Sequence, residues 1–160
     1  MIEPVDFEAW GKIAVERAAE RVLAAIPAEQ DPQPGKTARR SLAGTGYISR
    51  HILFLQPDRL APRALWLFAV PAGHPYDFRP PHTRLGAGLM HDASTELSSS
   101  RFAAGMTRSG GFGWKMHLEP RHEGYRLALK VDPDTQDPEA AGAELADQIL
   151  HSFGRIGLLV

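Results

Sequence analysis

The chain has 160 residues and no cysteine, with 18 Lys and Arg against 19 Asp and Glu for a formal net charge of −1. It is long enough to bury a core without staples, and it lacks the positive field that gathers phosphate backbones or anionic lipid. The missing cysteine removes disulfides, thiolate metal centres, iron–sulfur clusters and cysteine nucleophiles, and it fits a reducing, cytoplasmic setting.

The N-terminal stretch carries Glu3, Asp6 and Glu8 where an export signal would be basic. Asp6 is placed to cap a helix that Val5 staples and Pro27 closes. Phe7, Trp10, Ile13, Ala14, Ala18, Val22, Ala25 and Ile26 recur at three- and four-residue steps and form its expected apolar face. Glu8, Lys12 and Glu16 mark the wet side at i, i+4 spacing.

Pro27 to Gly46 is rich in Pro, Gly and small polar residues and reads as a connection, with one helical turn near Ala38 to Leu42. Tyr47 to Leu55 and Ala64 to Val70 are rich in β-branched and aromatic residues and are bounded by prolines, so both are expected as strands. The second is apolar throughout. It is therefore expected at the centre of a sheet, covered on both faces. It is also the longest apolar run in the chain, far short of the roughly 20 residues a spanning helix needs, so a soluble protein without a membrane partner is expected.

From Pro71 to Gly111 the chain spends about forty residues on a Gly-, Pro- and Ser-rich excursion, a length compact domains reserve for functional loops or disorder. Thr83 to His91 is expected as a weak strand inside it, and Asp92 as the cap of a short helix running through Leu97, Arg101 and Ala104. Beyond it lies a hairpin. Trp114, Met116 and Leu118 alternate onto one face, as do Tyr125, Leu127, Leu129 and Val131. Pairing Glu119 with Gly124 buries both sets and sets His117 opposite Arg126 on the polar face. Asp137, Pro138 and Glu139 then open a last helix, with Leu145, Ile149, Phe153 and Ile156 at helical spacing and an apolar tail after it. The expected fold is a single α+β domain over residues 1–160, its N- and C-terminal helices packed on a mainly antiparallel sheet of about four to six strands.

The stretch from His74 to Asp92 holds three histidines and two aspartates, which raises a metal site. Steps of eight and nine residues between His74, His82 and His91 fit neither a helical i, i+4 pair nor a strand i, i+2 pair, so no metal and no cofactor is expected from them. Gly35, Lys36 and Thr37 resemble the end of a phosphate loop, but Gln30 stands where its first glycine belongs. Gly44 to Gly46 leads into a strand, the reverse of a dinucleotide turn. Ser109 to Gly113 could offer backbone amides to an anion beside Arg108, or simply release the chain into the hairpin. No serine sits in a nucleophile elbow.

The expected function is a small binding or accessory domain that meets a protein or a small anionic ligand through the 71–111 region, with His74, Asp77, Arg79, His82, Arg84, His91 and Arg108 as ligand-binding candidates. The alternative is a small histidine-dependent hydrolase or lyase, metal-assisted or not, with His117, Glu119 and Arg126 as catalytic candidates. Nucleic acid is disfavoured by the charge balance, even though Lys36 to Arg63 holds six basic residues against one acid, because aromatic residues are not interleaved with them. A homodimer through the apolar tail, Leu158 to Val160, is also expected.

Overall fold

A computed structural model describes residues 6–26, 32–42, 45–54, 64–71, 83–92, 115–119 and 122–155; at positions 41–42, 45, 54, 64, 84, 89–92, 115–119, 122–128 and 152–155 the description is of the backbone. In chain order come α1 (Phe7–Ala25), β1 (Pro32–Pro34), β2 (Ala38–Leu42), β3 (Thr45–Phe54), β4 (Ala64–Val70), β5 (Thr83–Asp92), β6 (Lys115–Glu119), β7 (His122–Val131) and α2 (Pro138–Arg155). The seven strands form one antiparallel sheet in the order β1-β3-β4-β5-β7-β6, with β2 also paired to β3. Because β1 and β2 share one flank of β3, the sheet is six positions wide. Both helices lie on one of its faces, which is the expected α+β architecture.

Helix α1 starts where its chemistry dictates. The Asp6 carboxylate accepts from the backbone N–H of Glu8 at 3.0 Å and of Ala9 at 3.3 Å, and Pro27 follows the last residue of the helix by two. The buried stripe is Trp10, Gly11, Ala14, Val15, Ala18, Ala19 and Val22. Ile13, expected on that face, is 42% exposed. The stripe turns through small residues instead, which lets the helix lie close: a Cβ on Gly11 would sit 3.0 Å from the Ala69 Cβ and 3.3 Å from Ile48.

Helix α2 begins as expected, with the Asp137 carboxylate accepting from the Ala140 N–H at 2.9 Å and Pro138 at the first helical position. It meets α1 almost backbone to backbone, for a Cβ on Gly142 would collide with the Ala14 carbonyl oxygen. Trp10 Nε1–H donates to the Gln136 carbonyl at 2.9 Å, tying α1 to the turn that leads into α2, and Arg21 pairs with Asp147 on α2 at 2.7 Å. Between helices and sheet lies the main core, built on Ile52, Leu65, Leu67, Leu85, Leu145 and Ile149, each fully buried.

Two expectations are corrected here. Ala38 to Leu42 is a strand, not a helical turn: Arg39 sits opposite Ile48 and reaches back to Glu8 on α1, while Arg40 sits opposite Tyr47 on the other face. Five residues paired to a longer neighbour outweigh a local helical preference that has no length to propagate. The hairpin register is the second. Glu119 pairs with His122 and His117 with Gly124, so Arg126 stands opposite Lys115 and not His117. The shift is by two residues. Such a slip leaves every residue at a position of its expected face, so the alternation cannot distinguish the registers.

The helix-free face of the sheet follows from the same alternation. Leu65, Leu67 and Ala69 of β4 join the main core, whereas Trp66, Phe68 and Val70 form a second buried cluster with Tyr47. β4 is thus covered on both faces, as its unbroken apolar run implies. Its neighbour β5, weak by composition, is a full ten-residue strand running to Asp92 and lies between β4 and β7. The helix expected after Asp92 and the C-terminal tail fall outside the described residues, as does Trp114.

Candidate functional site on the helix-free face

Strand β5 reads Leu-Gly-Ala-Gly-Leu at its centre, Leu85 to Leu89. Leu85 and Ala87 are fully buried in the helix-side core, so Gly86 and Gly88 occupy the opposite face. Gly86 pairs with Phe68 on one side and Ala128 on the other; Gly88 pairs with Trp66 and with Arg126. Two successive positions in the middle of the sheet therefore carry no side chain. Each glycine costs about 0.5–1 kcal/mol of strand stability, and in strand interiors it marks close approach of a ligand or of other chain.

Gly86 and Gly88 are themselves buried, and beside them stands a buried aromatic cluster. The Trp66 ring lies 5.0 Å from Phe68, tilted by 46°, and meets Tyr47 edge-on at 6.4 Å. His51 stacks on Trp66 with ring centroids 5.8 Å apart and planes within 10°. These contacts follow from pairing: His51 is opposite Trp66, and Ser49 is opposite Phe68, in the β3–β4 ladder. Trp66 is only 6% exposed and Phe68 is fully buried.

Charge enters from the β2 edge. Arg40 Nε–H donates to Ser49 Oγ at 3.1 Å, which holds the guanidinium over the buried serine. Among the described residues Arg39 is paired with Glu8 and Arg40 with no carboxylate. His51 is half-buried, and burial first, then the Arg40 charge, lowers its pKa from the usual 6.5. The ring is therefore neutral at pH 7 and can accept as well as donate a hydrogen bond.

The edge is also fixed in place. Gly35 N–H donates to the His51 carbonyl at 2.8 Å, and Arg50 Nε–H donates to the Gly35 carbonyl at 2.7 Å. A Cβ on Gly35 would come within 2.9 Å of the His51 oxygen, so glycine is what lets the chain pass here. Gly35 is thus structural, in keeping with the rejection of Gly35 to Thr37 as a phosphate loop.

Of the ligand-binding candidates, Arg84 and His91 lie on β5, at positions paired with Lys130 and Glu123. Arg84 shares the face of Gly86, and His91 shares the face of the helices. His74, Asp77, Arg79, His82 and Arg108 lie outside the described residues. Of the catalytic candidates, Glu119 and His117 hold successive positions of the helix-free face on β6, and Arg126 holds one on β7 in the row of Gly88. Among the described residues no three His, Asp or Glu side chains converge on a metal-sized point. No described helix is long and apolar enough to cross a membrane.

His51, Arg40 and Trp66 were not legible as a site from sequence. Arg40 and His51 sit eleven residues apart in a stretch whose basic residues read as a diffuse patch, and only the β2–β3–β4 register brings them to one cluster. The one available signal was the glycine alternation in β5. No protein-family model, curated protein or solved structure matches the chain.

Proposed function

We propose that the chain is a small soluble binding domain that takes an anionic ligand with a flat, apolar part on the helix-free face of its sheet. The observation that carries the reading is the pair Gly86 and Gly88, set side by side with Phe68 and Trp66 at the centre of the sheet. The face is buried at these positions, so a planar group would take the place of what covers the two glycines, along the edge of the aromatic cluster. The anionic end then meets Arg40, whose planar donors suit carboxylate or phosphate, and neutral His51 supplies a hydrogen bond without adding charge.

The 71–111 region takes part through Arg84 and the two glycines, all on β5. A cytoplasmic setting fits the absence of cysteine. Nucleic acid is a poor partner at a net charge of −1, and a homodimer through the apolar tail is part of the same reading.

The test is a calorimetric titration of the full chain with phenyl phosphate, benzoate and inorganic phosphate. Binding of the two aromatic anions, weaker binding of inorganic phosphate, and loss of all three in Arg40→Gln support the reading. Equal affinity for all three, or affinity unchanged in Arg40→Gln, overturns it. Release of phenol during the phenyl phosphate titration would favour the histidine-dependent hydrolase instead.

A further inference from the structure

The two short strands on the outer flank of β3 treat their free edges in opposite ways. Gly35 N–H donates to the His51 carbonyl, so His51 turns its backbone groups toward this flank. In an antiparallel strand the N–H and C=O of one residue point to the same side and successive residues alternate, so Tyr47, Ser49 and Leu53 do likewise. Their partners Arg40, Ala38 and Gln33 face inward to β3. Pro32, Pro34, Arg39 and Ser41, at the alternate positions, turn their backbone groups outward.

Both outward residues of β1 are therefore prolines, which have no N–H to offer a further strand. That edge is closed. Between the two strands, residues 35–37 stand against only 50 and 51 of β3, and this excess of one residue is a bulge that separates the two edges. β2 carries no proline, and among the described residues it pairs with β3 alone. The N–H and C=O groups of Arg39 and Ser41 thus leave a short open ladder at the border of the sheet.

The open edge is also basic. Lys36, Arg39 and Arg40 are exposed, with Arg39 opposite Ile48 on the helix face and Arg40 opposite Tyr47 on the other. The wider stretch from Lys36 to Arg63 holds six basic residues against one acid. Two copies of β2 laid antiparallel would set arginines of both chains side by side, which is a repulsive pairing. A strand bearing carboxylates would instead meet a guanidinium on each face. Arg39 already holds the Glu8 carboxylate, so its guanidinium stands where an acid beside the strand can be reached.

We propose that the β2 edge binds an extended acidic peptide segment of a partner protein, added to the sheet as a further strand beside Arg39 and Ser41. Main-chain hydrogen bonds to these two residues supply affinity, and the flanking arginines select for carboxylates through charge-assisted contacts. This proposal is independent of the ligand on the helix-free face.

The test is hydrogen exchange of the full chain, read at each amide by NMR, with a short acetylated and amidated peptide of alternating glutamate and valine. At saturation, protection of the Arg39 and Ser41 N–H groups should rise by about tenfold or more, while Ala38 and Arg40, already bonded to β3, change little. The same peptide with lysine in place of glutamate should give no protection. Arg39→Gln should weaken binding of the acidic peptide, and Ser41→Pro, which gives β2 the closure that β1 has, should abolish it. Two N-methylated forms of the acidic peptide decide the matter on the unaltered chain should Ser41→Pro fail to fold. One carries its methyls on the valine nitrogens and the other on the glutamate nitrogens, so one form keeps its β2-facing donors and binds, and the other does not. No saturable protection at Arg39 and Ser41, an equal response to the lysine peptide, or equal binding of both methylated forms overturns the proposal. Protection of the same two amides that rises with chain concentration and no peptide would assign the edge to a second copy, and overturns it too.

Discussion

The His51 imidazole lies parallel to the Trp66 indole, with 5.8 Å between ring centroids and 10° between planes, and this stacking keeps the histidine out of water and neutral. Its pKa is lowered by burial and by Arg40, so the unfolded chain binds a proton that the folded chain refuses. Stability therefore rises with pH across the interval between the depressed value and 6.5; it is fully present above 6.5 and lost as pH falls through that interval. Urea unfolding between about pH 7.5 and 5 should show the parent losing more stability than His51→Gln. Parallel pH profiles for the two proteins would show that His51 titrates alike in both states.

Glycine at positions 86 and 88 is expected to serve binding more than packing. Gly88→Ala should weaken phenyl phosphate by about tenfold or more, a difference of roughly 1.4 kcal/mol, with little change in the thermal midpoint. Calorimetry and melting are read on the same sample. A lowered midpoint with unchanged affinity would assign the glycines to close packing against Trp66 and Phe68.

The helix–helix contact gives a prediction with the opposite balance. Gly142→Ala forces a methyl into the Ala14 carbonyl, backbone against backbone, where no side chain can swing aside. Overpacking of this kind costs typically about 1–3 kcal/mol, more than the helix propensity gained by replacing glycine. Denaturant unfolding should show a clear net loss, and a stabilised variant would mean that α1 and α2 separate without penalty.

The α1 stripe makes a paired prediction. Val22→Ala empties a fully buried site, whereas Ile13→Ala trims a side chain that is 42% exposed. The first should cost about 1–3 kcal/mol and the second well under half as much. Equal losses would restore Ile13 to the core.

These residues also show how far the sequence could be read. Caps at Asp6 and Asp137, the buried run of β4 and the α+β class were legible because each is local chemistry: a short polar side chain before an apolar period, or an apolar run with no polar alternation. The face of α1 was displaced by part of a turn because Gly11, Ala14 and Val15 compete with the larger Ile13 for burial by size as well as hydrophobicity, and close approach to Ala69 favours the smaller residues. The β2 strand and the β6–β7 register were not legible. Both depend on which partner a short segment finds, and a slip of two residues leaves the alternation unchanged. The candidate site was hidden for the same reason, since Arg40, His51 and Trp66 come from three strands and meet only through pairing.

The most direct test of the helix-free face as the binding surface is an amide and indole NMR spectrum of the full chain during addition of phenyl phosphate. Trp10 and Trp66 serve as opposed reporters: Trp10 Nε1–H is held by the Gln136 carbonyl on the helix side, and Trp66 lies in the cluster beside Gly88. Saturable shifts of the Trp66 indole and the Gly86 and Gly88 amides, with the Trp10 indole unmoved, are predicted. Shifts centred on Trp10 and the helices, or no saturable shift at Gly86, Gly88 and Trp66, would contradict it.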